Sequence, residues 1–131
     1  MPKQLTLPTI LPERLERFLL FHRENPDVYS MFRFFALEAK RSGVSHYGGR
    51  AIAERIRWHK TVENRVGEFK YNDHLTGYYT RLLMLVEPML FGGFFERRDA
   101  RFDADDETLL FHFSQLQGDT DHDTRKRNQR N

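Results

Sequence analysis

The chain has 131 residues, no cysteine and a formal net charge of +2, which fits a single domain and excludes disulfides and thiolate metal sites. Its apolar fraction of 39% is modest and its charged fraction of 31% high, but twelve Phe, five Tyr and one Trp supply bulky core material. No run of about 18 apolar residues could span a bilayer, and Glu13, Arg14, Glu16 and Arg17 break the apolar stretch near the start, so a cytoplasmic protein with no membrane association is expected.

The first element is a short helix: Leu11, Leu15, Phe18, Leu19 and His22 recur at helical spacing behind Pro12. Residues 1–25 read as an N-terminal extension carrying it. Asn25-Pro26-Asp27 then opens a second helix, with Asn25 as N-cap, Pro26 in the first turn and Asp27 near the positive end of the helix dipole. Val28, Phe32, Phe35, Ala36 and Ala39 share one face of that helix, which stops at Lys40, Arg41 and Gly43.

VSHYGG holds a brief extended stretch before a third helix, from Arg50 to about Thr61, with Ile52, Ile56 and His59 on one side and Trp58 close to it. VENRVGEFKYN reads as an extended connector, and Asp73 as the N-cap of a fourth helix. Leu75, Tyr78, Tyr79, Leu82, Leu83 and Val86 make its apolar face, and Pro88 limits its length.

After Gly92-Gly93, residues 94–98 and 108–113 read as two strands around an acidic turn. A helix starting at Asp106-Glu107 competes for the second of them, because LLFHF is too short for its period to decide. From Gly118 onward no apolar residue occurs, so residues 118–131 are expected to form a disordered charged tail. The expected fold is mainly α with a small β-hairpin, a winged-helix-like single domain with its core at residues 26–117.

That element order carries a functional expectation. In a winged helix the third core helix enters the major groove and the hairpin approaches the DNA backbone. The reading surface is then His74, Thr76, Gly77, Thr80 and Arg81, with Asn72 and the helix N-terminus holding a phosphate. Arg97 and Arg98 fall on the wing, and Arg55, Arg57 and Lys60 flank the groove. Charge is uneven along the chain: residues 12–98 carry fifteen Lys/Arg against eleven Asp/Glu, residues 99–123 one against eight, and residues 124–131 four against none. A basic body suits a double-stranded DNA partner.

Catalytic and metal motifs are missing. His22, His46, His59, His74, His112 and His122 show no HExxH or similar close ligand spacing, and Asp119, Asp121, His122 and Asp123 lack the pattern of an EF-hand loop. GxSxG, Walker A and GxGxxG sequences are also absent. A non-enzymatic protein with no cofactor and no metal is expected.

FHRENPDVYSMFRFFALEAKRSG, IAERIRWH, EFKYNDHLTGYYTRLLMLVEPML and GFFERR, which together span roughly residues 21 to 98, resemble a group of small proteins encoded by bacteriophages and prophages. The resemblance implies a phage or prophage origin and a bacterial host cell, and carries over no catalytic residue. It keeps two classes open: a DNA-binding regulator or accessory factor, and a module that captures a host or phage protein. The second would expose an apolar patch around Phe91, Phe94 and Met84; the Phe-rich stretch 91–95 could also serve a homodimer.

Overall fold

A computed structural model gives the fold; the residues it describes are 11–64, 69–95 and 104–129, the last eleven of them as backbone alone. The described elements are α1 (Glu13–Glu24), α2 (Asp27–Arg41), α3 (Gly49–Trp58) with a π-helical extension (His59–Glu63), α4 (His74–Val86), α5 (Pro88–Phe91) and α6 (Asp106–Gln129). Among the described residues no helix is long and apolar enough to cross a membrane.

The winged-helix expectation is overturned, because among the described residues there is no strand and hence no hairpin. Residues 108–113 lie inside α6. Its start is fixed by Asp105, whose Oδ1 accepts the Thr108 N–H at 2.8 Å and whose carboxyl that bond holds below its ordinary value. Leu109 and Phe113, four residues apart, are both buried, which is the helical period rather than strand alternation. Phe94 and Phe95 are buried in succession, and Phe95 makes only a single parallel bridge to Tyr47.

The backbone of α6 runs on through residues 118–129, the stretch whose composition predicts disorder.

The centre of the core is α4. Leu75, Tyr78, Tyr79, Leu82 and Leu83 are all buried, and at about 1.5–3 kcal/mol for each buried side chain they outweigh the ~1 kcal/mol helix penalty of Gly77. α1 brings Leu15, Phe18 and His22 into the same core. The Phe18 ring lies 4.9 Å from both Tyr78 and Tyr79, stacked on the first and edge-on to the second, and Phe32 of α2 stacks on Tyr79 at 5.0 Å. α3 packs on α4 at a point that only glycine allows. A Cβ on Gly49 would meet the methyls of Thr80 at 2.4 Å and Thr76 at 3.0 Å.

Two caps differ from their sequence assignments. Asn25 closes α1 rather than opening α2, its Nδ2 donating to Phe21 O at 3.0 Å. At α4 it is Asn72, not Asp73, whose side chain accepts the His74 N–H, at 3.2 Å. Gly43 does follow the end of α2, with φ at +101°, the left-handed region that favours glycine. Arg33 of α2 forks onto Glu87 beyond α4, through bonds of 2.7 and 2.8 Å, and this hydrogen-bonded guanidinium holds the carboxyl below its ordinary value.

α6 is tied to the core by a buried histidine. His22 is 1% exposed; the Gln117 carboxamide oxygen faces its Nε2 at 3.1 Å and the Tyr79 hydroxyl its Nδ1 at 3.4 Å. Nε2–H therefore donates to Gln117, and in the neutral ring that burial favours Nδ1 accepts from the Tyr79 hydroxyl. Burial depresses its pKa below 6.5, against the opposing pull of the Gln117 bond.

Two measurements check this packing. Gly49→Ala is expected to destabilise the protein by about 1–3 kcal/mol in urea titration, through overpacking between stiff threonines, although Gly to Ala within a helix normally stabilises by ~1 kcal/mol. For His22, a depressed folded pKa means stability fully present above the unfolded value near 6.5 and lost as pH falls from there toward the folded value. Wild type should therefore lose more stability between pH 7.5 and 5.5 than His22→Gln, and equal losses would contradict the assignment.

Candidate functional site

The residues assigned to groove reading are engaged inside the molecule. The Thr76 and Thr80 methyls face Gly49, while the Thr76 hydroxyl bonds the Tyr71 hydroxyl at 2.6 Å and the Thr80 hydroxyl donates to Gly77 O at 3.2 Å. Arg81 donates from Nε to Asp106 Oδ1 at 2.6 Å and from Nη2 to Ala104 O at 2.7 Å, leaving its side chain 12% exposed. It clamps the start of α6 onto α4. His74 packs edge-on against Tyr78.

The α4 N-terminus offers no open cradle for a phosphate. The N–H groups of His74, Leu75 and Thr76 go to the Asn72 side chain, Asn72 O and Asp73 O. A lost bond to a side chain or backbone partner would have to be replaced by the ligand.

The flanking cations are also committed. Arg57 bonds Tyr71 O at 3.0 Å, Asp73 Oδ1 at 3.1 Å and Glu54 Oε1 at 3.2 Å, and lies over the Tyr71 ring. Lys60 pairs with Asp27. Arg55 is exposed and sits over the Phe35 ring at 4.8 Å. Arg97 and Arg98 lie outside the described residues. The structure thus gathers Arg57, Asn72 and His74 at one open cleft, and separates them from Thr76, Thr80, Arg81 and Arg55.

The apolar patch expected of an interaction module also moves. Phe91 and Phe94 are buried and Met84 is half-buried, so that stretch is core. Exposed aromatics stand elsewhere: Phe34 on α2 is 58% and Trp58 on α3 57% exposed, with Val62 at 47%, and Phe111 on α6 is 56% exposed. Phe34 touches Phe35 edge-on at 5.5 Å, and Arg55 covers Phe35. Trp58 follows Arg55 by one helical turn and Val62 follows Trp58 by about another. These side chains form an aromatic and cationic stripe in which Phe34, Phe35 and Arg55 touch across two neighbouring helices and Trp58 and Val62 follow along α3 and its extension.

The stripe has a visible origin in the sequence. Phe34 and Trp58 each stand two positions beyond a fully buried residue, Phe32 and Ile56, and two positions turn a helix by about 200°. Burial of the first therefore directs the second outward. On the same two helices, Arg41, Arg50 and Arg55 have no carboxylate within salt-bridge distance among the described residues.

No three His, Asp or Glu side chains converge on a possible metal position among the described residues. Compared with family models, curated proteins and solved structures, the chain matches none.

Proposed function

We propose that the chain is a non-enzymatic protein-interaction module that engages an acidic, apolar segment of a host or phage protein through Phe34, Phe35, Arg55, Trp58 and Val62. The observation that carries this is the outward placement of Phe34 and Trp58, each more than half exposed, on helices whose opposite faces are buried. Exposed apolar groups in a contiguous patch, rather than singly, mark association surfaces. Trp and Arg are the side chains that most often dominate binding energy at such surfaces.

The partner's charge follows from the cations on the same two helices. Arg41, Arg50 and Arg55 lack carboxylate partners among the described residues, so acidic groups on a partner would complement them and speed association. Duplex DNA is the weaker fit. The polar face of α4, which would enter the groove, is occupied by α3 and α6 contacts.

A photo-crosslinking residue placed at position 34, in protein produced in bacterial cells, tests the proposal. The expected result is one discrete adduct with a second protein, lost when Trp58→Ser is added to a variant of unchanged helical content. Adducts with nucleic acid, adducts only between two copies of the chain, or an adduct indifferent to Trp58→Ser would overturn it.

A further inference from the structure

An open cleft of about 540 Å³ lies away from the stripe, between α1, the end of α3 and the segment that leads into α4. That volume is within the range of small-molecule sites, roughly 300–1,000 Å³. Three cations from three different elements reach it, Arg17, Arg57 and Lys70, against one carboxylate, Asp73.

The cations differ in availability. Arg57 is committed to Glu54, Tyr71 O and Asp73, so it forms part of the cleft wall and leaves the phosphate to the other two. Arg17 pairs with Glu13, but both side chains are well exposed, at 63% and 76%; such a pair is worth only about 0–1 kcal/mol, and Arg17 can be recruited at little loss. Lys70 is exposed with no carboxylate partner among the described residues.

The rest of the lining suits a planar heterocycle. Phe21 and Leu75 add apolar lining, the Phe21 ring being held by Phe69 and Tyr71 beside it. The Asn72 side-chain oxygen is used by the His74 N–H, which leaves its amide N–H groups to serve acceptors on a ligand. The Asp73 carboxylate beside it can accept from a ring or exocyclic N–H. Tyr71 does not offer a stacking face, because Arg57 covers its ring and Phe69 lies nearly parallel to it at 6.1 Å.

From this juxtaposition we infer that the cleft binds a nucleoside phosphate, the phosphate held by Arg17 and Lys70 and the base laid on Phe21 beside Asn72 and Asp73. The inference is independent of the protein-partner proposal, since none of these residues belongs to the stripe.

Calorimetric titration of the full chain with the four ribonucleoside monophosphates, with inorganic phosphate alone, and with a short single-stranded oligonucleotide tests it. At least one mononucleotide should saturate a single site and bind at least about tenfold more tightly than inorganic phosphate. The double variant Arg17→Ala/Lys70→Ala, both positions being exposed, should keep its helical content and weaken that binding by about tenfold or more. Tighter binding of the oligonucleotide, competed by the mononucleotide, would identify a strand as the source of the same unit. No saturable binding, equal binding of inorganic phosphate, or undiminished binding by the double variant would overturn the assignment.

Discussion

The close approach of α3 to α4 at Gly49 is the contact on which the arrangement depends. With no side chain at that position, the Thr76 and Thr80 methyls fit directly against the α3 backbone. The polar side of α4 is thereby covered, and its apolar side is buried against α1, α2 and α6. A helix enclosed in this way serves as a hub. Arg81 completes the enclosure by holding both Asp106 and Ala104 O at the start of α6.

This constraint decides where function can sit. Side chains that look free in a list of polar residues on α4 are tertiary connectors, and removing them from those partners to meet a phosphate would expose or orphan buried groups. Outward-facing chemistry is found on α2, α3 and the segment before α4. The first two supply aromatics and arginines without carboxylate partners among the described residues, and the third supplies a basic cleft.

Much of the helical core was legible in the sequence, because Leu15 and Phe18, Phe32 and Ala36, Ile52 and Ile56, and Leu75 through Leu83 repeat at the helical period. The hairpin was misread because LLFHF is compatible with either period; what selects the helix is the Asp105 cap together with the contact of Gln117 with His22, ninety-five residues away. Ion pairing was beyond local reading for the same reason. Lys60 meets Asp27 across 33 positions and Arg33 meets Glu87 across 54, so residue type suggested cations available for DNA where the fold had already used them. The outward turn of Phe34 and Trp58 was, by contrast, present in the helical spacing.

Native-state hydrogen exchange along α4 tests the hub most directly. If α4 is enclosed by α1, α2, α3 and α6 together, the amides of Leu82 and Leu83, whose side chains are fully buried, exchange only through global unfolding, with an opening free energy equal to that from denaturant titration. Exchange of these amides through a smaller opening, while those of α1 and α2 stay protected, would show α4 to be a peripheral helix and contradict the account.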